Sequence, residues 1–386
     1  MPQQTRESAP RVAEFFAGIG LVRIGLEAGG FDVIWSNDIE PAKRDMYVGH
    51  FGEHEQAHSF VLGDVAKVTG GDMPSSLSLA WASFPCIDLS LAGWRKGLDG
   101  SHSSTFWGFS NVIDEMPEDQ RPPVVVLENV IGLATSHGGK DLAAAVSELN
   151  RLGYSADVLT LDARRFVPQS RPRLFVVGMH TPPDSPAAPF DELRPAWLQA
   201  PFRNPDLRTH RAPLPSPPPL LSRGLASVVE HIPADDPLWW DETRTAAFMT
   251  SLSPIQAGRL HSFTSKNELA YRTAYRRTRD GKPVWEIRQD DVSGCLRTAR
   301  GGSSRQALVQ VGQGSVKARW MTPLEYARLM GAPGYTLTGL RNNQALFGFG
   351  DAVCVPVVAW LAEHYLMPAV TGTLTHSADE PLAVAT

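Results

Sequence analysis

Several side chains able to do covalent or acid–base chemistry sit where apolar runs end. Cys86 follows Phe84-Pro85 at the close of the run 80–84, with Asp88 and Ser90 just after it. A thiol at the carboxyl end of a strand faces the crevice in which open α/β sheets bind ligands, and as a thiolate it is a nucleophile. Most lone cysteines are inert core residues, so the neighbours decide. The run 124–127 delivers Glu128-Asn129 to the same edge, and a carboxylate arriving on a buried strand is costly unless it has a partner or a task. Gln169-Ser170-Arg171-Pro172-Arg173 precedes the apolar run 174–177. Two arginines two apart on an extended segment point the same way and can bind phosphate or a base carbonyl; an exposed basic turn is the plain alternative.

A second group points to a nucleotide-like ligand. Phe15-Phe16-Ala17-Gly18-Ile19-Gly20 places a Gly-x-Gly turn between a strand and a helical pattern, the position of the ligand loop in doubly wound folds. The third glycine of the dinucleotide fingerprint is missing: position 23 is Arg23, and Gly25 is out of register. That disfavours a pyrophosphate and suits an adenosyl group without phosphates. Asp38 lies 18 residues after Gly20, where a carboxylate accepts from ribose hydroxyls. Asp64, where a third strand would end, is placed to accept from an adenine amine. Singly each is an ordinary loop acid; in this order they indicate an adenosyl cofactor.

The elements that must position these groups follow from periodicity. Apolar or β-branched runs at 11–16, 31–36, 80–84, 124–127, 156–161 and 174–177 read as strands, and 140–152 has helical spacing ending at Gly153. The run 124–127 is apolar throughout, as a strand buried on both faces should be. Such alternation predicts an α/β fold with a mainly parallel, doubly wound sheet. Twelve of the 31 prolines fall within 181–222, which reads as a linker or an irregular wrapping segment. Residues 353–366 read as a helix with Pro356 in its first turn, packing back on the first domain. The expected division is therefore 1–180 for the catalytic and cofactor domain, 181–340 for a second domain opened by the proline-rich linker, 341–368 returning to the first, and 369–386 as a disordered tail.

Composition excludes other classes. Three cysteines without CxxC or Cys/His spacing argue against a disulfide scaffold or a zinc ribbon, so no metal is expected. No signal peptide is apparent, and no run of 18 apolar residues predicts a membrane span. A cytoplasmic protein is expected. The net charge of −5 argues against a general polyanion binder, but it is an average: residues 259–305 carry eleven Lys/Arg and five Asp/Glu, +6, which leaves −11 on the remainder. Tyr271 and Tyr275 alternate with Arg272, Arg276 and Arg277 there, a composition suited to phosphate contacts.

FAGIG, SNDIEP, GDV, FPCIDLS, LENV, QSRPR, the LRTARGG stretch at 296–302 and GFGDAV at 348–353 occur in the order seen in cytosine-5 DNA methyltransferases. The chain resembles the bacterial Dcm/Hha-type, S-adenosylmethionine-dependent members of that family over nearly all of 11–180 and 293–366; 181–292 corresponds by position to their target recognition domain. The resemblance implies the S-adenosylmethionine-dependent methyltransferase fold, with no metal, acting as a monomer on double-stranded DNA in restriction–modification, phage defence or an orphan role. It implies that Cys86 attacks C6 of a flipped-out cytosine, that Glu128 binds N3 and the exocyclic amine, and that Arg173 binds O2, with water removing the C5 proton. Phe16, Ala17, Gly18, Ile19 and Gly20 match the cofactor wall, Asp38 the ribose acid, Ile39 an adenine-packing position, Asp64 with Val65 the adenine side, and Pro85 the pocket floor. Asp351 and Ala352 match the cofactor side, although Asp351 replaces a usual asparagine. Asp38 stands where many members have Glu, and Ile87 where Gln is common. Ser90 and Ser103 fall in or near the loop that closes over DNA; with Arg171, Arg272, Arg276, Arg277, Arg297 and Arg300 they form the expected DNA side, Arg171 holding phosphate or buttressing the loop. Cys295 and Cys354 are expected in the core, and Trp239-Trp240 in packing.

Rival readings are a transfer-RNA cytosine-5 methyltransferase, a catalytically inactive DNA-binding homologue, and a nicotinamide oxidoreductase. The first lacks its CFT signature here, the second leaves intact Cys86, Glu128 and Arg173 unexplained, and the third rests on the glycine turn alone.

Overall fold

A computed structural model describes residues 9–52, 58–85, 105–183, 187–279, 281–297 and 305–374. Strands β1 (Arg11–Phe15), β2 (Asp32–Asp38), β3 (Ser59–Leu62), β4 (Leu79–Ala82), β5 (Val124–Val130), β6 (Ser155–Asp162) and β7 (Pro172–Met179) form one sheet in the order β3-β2-β1-β4-β5-β7-β6. All neighbours are parallel except β7, which runs antiparallel to both β5 and β6. β3, with its half-exposed Phe60 and Val61, is the strand the apolar runs did not reveal.

Helices cover both faces: α1 (Leu21–Ala28), α2 (Pro41–Phe51), α3 (Thr105–Glu115) and α4 (Lys140–Arg151). The alternation of side chains along β5 divides the core. Val124 and Val126 enter the cluster that includes Leu21, Leu26 and the C-terminal helices, whereas Val125 and Leu127 face Phe109, Leu142 and Val146 of α3 and α4. On α4 the buried residues Leu142, Ala145, Val146 and Leu149 recur at helical spacing.

Past β7 the chain does not leave as a free linker. Thr160 donates its N–H to the Leu193 carbonyl, and Ala156 donates its N–H to the Arg208 carbonyl while its own carbonyl accepts from the His210 N–H. The proline-rich stretch, including the short α5 (Ala200–Arg203), thus covers the open edge of β6 with irregular backbone. Leu193, Ala212 and Leu225 are fully buried, and Arg194 pairs with Asp157 at 2.6 Å with neither side chain exposed.

The second unit is smaller than 181–340. α6 (Glu242–Thr250) and α7 (Pro254–Thr264) pack on a four-stranded antiparallel sheet ordered β11-β10-β8-β9, from β8 (Ala270–Arg279), β9 (Lys282–Ile287), β10 (Ala307–Gly312) and β11 (Ser315–Trp320). Its core joins Phe248, Leu260 and Phe263 to Trp285, Ile287, Val309 and Val311. Leu308, on the other face of β10, belongs instead to the core of the large sheet.

The return begins with α8 (Pro323–Leu329), not at 341, because Tyr326, Ala327 and Leu329 are buried in the first core. Arg319 of β11 and Glu325 of α8, both fully buried, are paired at 2.5 Å across this junction. α9 (Asn342–Asp351), α10 (Val355–Leu361), a π turn (Ala362–Leu366) and α11 (Met367–Thr371) follow, so the tail expected from 369 starts in helix. The expectation of no membrane-length segment also needs amending. Residues Asn342–Thr371 are long and apolar enough by composition, but 72% of the most apolar window is buried inside the protein.

α10 lies against α1 where Gly25 permits close approach: a Cβ there would fall 2.6 Å from Val358 Cβ. Gly25→Ala is expected to destabilise the fold by about 1–3 kcal/mol through overpacking. Urea denaturation reads this, and an unchanged midpoint would contradict the close helix contact.

Candidate active site

The carboxyl ends of β1, β2, β4 and β5 meet where the strand order reverses between β1 and β4, the place where doubly wound sheets bind ligands. After β1 the chain turns tightly, with Phe16, Gly18 and Gly20 at φ 59°, 58° and 80°. Gly20 has no alternative, since a Cβ would meet Phe51 at 2.4 Å and Tyr47 at 2.8 Å. Tyr335 braces the loop from behind, its hydroxyl 2.8 Å from the Ile19 carbonyl and 2.9 Å from that of Met46. Arg23 is buried under the loop, 2.7 Å from Glu27 and over the Phe51 ring.

Asp38 ends β2 with each carboxylate oxygen accepting one backbone N–H, from Gly18 and from Glu40, both at 2.8 Å. An ionised carboxylate accepts about four hydrogen bonds, so acceptor capacity remains towards the crevice. Ile39 beside it is 61% exposed, an unusual state for so apolar a side chain. Asn37 bonds the Val61 and Gly63 carbonyls, tying the end of β3 to β2 and setting Asp64 next to Asp38. Asp64 caps the turn at Val65–Lys67 through the Ala66 N–H. Asp351 turns to Lys43, 3.1 Å away. Burial opposes the lysine's charge, but Asp38, Asp351 and Glu40 overrule it and raise its pKa.

Pro85 is exposed at the end of the described segment after β4. Cys86, Ser90, Ser103 and Arg300 lie outside the described residues. What positions the approach to Cys86 is Asn129, which is buried and donates to the Phe84 carbonyl at 3.0 Å. On β5, Glu128 meets Arg173 of β7: Arg173 Nε is 3.0 Å from Glu128 Oε1, with both side chains largely buried. The antiparallel register, pairing Val130 with Arg173 and Glu128 with Phe175, brings them together. The carboxylate without a sequence-local partner thus has one 45 residues on.

Arg171 needs correcting as a DNA contact. It is 2% exposed, and its guanidinium donates to the carbonyls of Leu296 (2.7 Å), Gly350 (3.2 Å) and Ala352 (2.6 Å). Burial and then Arg173 lower its pKa. Gln169 is equally internal, bonding the Leu329 carbonyl and the Leu296 N–H. Cys295 also departs from expectation. It is not sealed in the core but touches both arginines, its Sγ 3.2 Å from Arg171 Nη1 and 3.8 Å from Arg173 Nη2. Cys354 is buried, which pushes its thiol up to about 12.

The basic residues of the small sheet divide by face. Arg272 folds over Phe263 and Arg276 over Trp285, whereas Arg277 lies on the opposite side, half exposed and 3.2 Å from Glu286. Arg272 is half-buried whereas Arg276 and Arg277 are exposed, so Arg272 is the least open of the three to a phosphate contact. Arg297 is exposed. Trp240 packs against Phe248, Trp285 and Trp320.

Glu14 of β1 escaped the sequence reading. It is 1% exposed, and neither carboxylate oxygen has a hydrogen-bond partner among the described residues. Burial raises its pKa well above the usual value, with Arg23 offsetting only part.

On this doubly wound sheet a switch-point crevice rimmed by Asp38 thus lies beside a buried carboxylate–arginine pair. Comparison with known proteins gives the family. The family model described as C-5 cytosine-specific DNA methylase matches residues 10–366, and the chain belongs to that family of methyltransferases. It is 24% identical over 360 residues to the Type II methyltransferase M.Bsp6I of Bacillus sp. (strain RFL6), covering 92% of this chain and 98% of that protein. It is 26% identical to M1.ScrFI of Lactococcus lactis subsp. cremoris, over 95% of this chain and 80% of the relative. M.HhaI of Haemophilus parahaemolyticus matches at 29% over 168 residues, 43% of this chain and 48% of that one. The S. pombe Dnmt2 methyltransferase structure superposes with a TM-score of 0.60 at 16% identity, over 93% of this chain and 99% of its own, a likeness of fold.

Arg171→Lys is expected to lower stability by about 1–3 kcal/mol, because a single ammonium cannot satisfy three separated carbonyls, while the salt dependence of DNA binding stays unchanged. A flatter salt slope would return Arg171 to the DNA side. For Glu14, a raised folded pKa means stability that is fully present below the unfolded carboxyl value and lost as pH rises through the folded value. Glu14→Gln should therefore be more stable than wild type at pH 8 and show less decline from pH 5 to 8 in thermal melts; parallel pH profiles would contradict this.

Proposed function

We propose that the protein transfers a methyl group from S-adenosylmethionine to C5 of a cytosine flipped out of a specific duplex DNA sequence, as the methyltransferase of a restriction–modification system. The observation that carries this reading is the Glu128–Arg173 pair at the sheet edge reached by Phe84 and Pro85, the residues that precede Cys86 in sequence. Names of the full-length relatives, all Type II methyltransferases, support the setting.

C5 of cytosine is a poor nucleophile in an aromatic ring. The Cys86 thiolate forms a bond to C6, and the C5–C6 π electrons pass into the ring towards N3 and O2. Glu128 holds a proton at N3, and Arg173 donates to O2, so both act where negative charge develops. C5 becomes enamine-like and would take the methyl group from the sulfonium, whose sulfur would leave with the C–S electron pair as the thioether of S-adenosylhomocysteine. Water then removes the C5 proton, and the electron pair restores the C5–C6 bond as Cys86 leaves. The base must be out of the stack to reach such a pocket.

The crevice residues fit the cofactor. S-adenosylmethionine supplies a methyl group on a sulfonium, poised for displacement. Asp38 retains acceptor capacity for ribose hydroxyls, the exposed Ile39 offers an apolar face for adenine, Asp64 accepts from the adenine amine, and the backbone from Phe16 to Gly20 leaves open space at Gly18. Arg276, Arg277 and Arg297 provide exposed cations for the DNA backbone.

Bisulfite sequencing of DNA from cells expressing the protein tests the reading. Methylated cytosine at one recurrent sequence, lost with Cys86→Ala while DNA binding persists, is the expected result. Unchanged cytosines with soluble wild-type protein would overturn it.

A further inference from the structure

Cys295 is the contact that the proposed reaction leaves without a task. It sits in the connection between β9 and β10, where Ser293 bonds the backbone on both sides of Gln169: its N–H donates to the Pro168 carbonyl and its carbonyl accepts from Ser170. That pairing lays 293–297 beside the QSRPR segment. The thiol is largely but not wholly enclosed; its S–H donates to the Leu296 carbonyl at 3.4 Å, and its lone pairs accept from Arg171 and Arg173. Arg171 is fixed independently by three carbonyls. Arg173 has fewer restraints: besides Glu128 it bonds the carbonyl of its neighbour Pro172 through Nη1, and Cys295 is what holds Nη2. An arginine side chain has four rotatable bonds and loses about 2 kcal/mol of rotamer freedom when fixed, so a second anchor matters.

We propose that Cys295 is a positioning residue for Arg173, holding its guanidinium so that Nε faces Glu128 and the remaining N–H groups face the substrate carbonyl. The inference rests on the role proposed above for Arg173. Cys295 adjoins the basic segment through Leu296 and Arg297, so its backbone placement depends on how that segment lies. The charged groups around it are Arg171, Arg173 and Arg297, with Glu128 behind Arg173. Burial pushes the thiol up, but the arginines together override it, and its pKa lies below the ordinary thiol value.

Two measurements test this on the full-length protein. In the first, single-turnover methylation is compared for wild type, Cys295→Ala and Cys295→Ser, with cofactor affinity and melting temperature measured alongside. Loss of about tenfold or more in rate for Cys295→Ala, with cofactor affinity and melting temperature held and with Cys295→Ser recovering at least half the rate, is the expected pattern. Equal rates for wild type and Cys295→Ala, or a serine variant as slow as the alanine one, would overturn it. In the second, alkylation of Cys295 by iodoacetamide is followed against pH in Cys86→Ala protein, where the buried Cys354 stays silent. The midpoint should lie below that of a free thiol and move up when Arg173→Ala is added; no movement means that the contact is absent. The titration needs no methylation, so it judges Cys295 even if the reading of the function fails.

Discussion

A carboxylate buried on a strand needs a partner or gives up its charge, and at the end of β5 that constraint is met by the 3.0 Å approach of Arg173 to Glu128. Removing either partner would strand the other charge at a cost of about 3–5 kcal/mol. The contact exists because β7 runs against its neighbours. A parallel strand would carry its first residues to the opposite edge of the sheet; the reversed β7 starts at the carboxyl edge, so Arg173 arrives beside the end of β5. The single antiparallel strand in an otherwise parallel neighbourhood therefore builds the site.

The surroundings keep that pair fixed. Asn129, next to Glu128, holds the segment leading to Cys86, and Arg171, two residues before Arg173, fastens the carbonyls of Leu296, Gly350 and Ala352. One buried guanidinium thus joins the start of β7, the connection between β9 and β10 and the end of α9. The crevice at the ends of β1 and β2 shares the same frame, since α9 ends at Asp351, which pairs with Lys43 near Asp38. An acid at 351 is tolerated because a lysine one helix away balances it.

Much of this was legible in the sequence because it is local. The strand at 124–127 announces itself by four apolar residues in a row, and the glycine turn by its place between a strand and a helix. Asp38 and Asp64 follow from where strands must end. What stayed hidden depends on distant packing. Arg171 and Arg173 look equivalent two residues apart, yet carbonyls more than a hundred residues later claim one and leave the other to Glu128. Within its own stretch Cys295 meets only the carbonyl of its neighbour Leu296, so nothing nearby hinted at Arg171 and Arg173. The proline-rich segment promised irregular backbone, but only the open edge of β6 gives it a place to lie. Glu14 is one acid in an apolar strand, and its isolation is visible only once its oxygens are seen to meet no donor.

The central claim is that Cys86 forms a bond to the target base while Glu128 and Arg173 polarise the ring. Duplex DNA carrying 5-fluorocytosine at the target position tests it most directly, since the fluorine cannot leave as the C5 proton does and the adduct is trapped. The account predicts a cofactor-dependent covalent complex of one chain per target, with mass spectrometry locating the link at Cys86. A complex linked through any other residue, or none at all on DNA that the protein methylates, would contradict it.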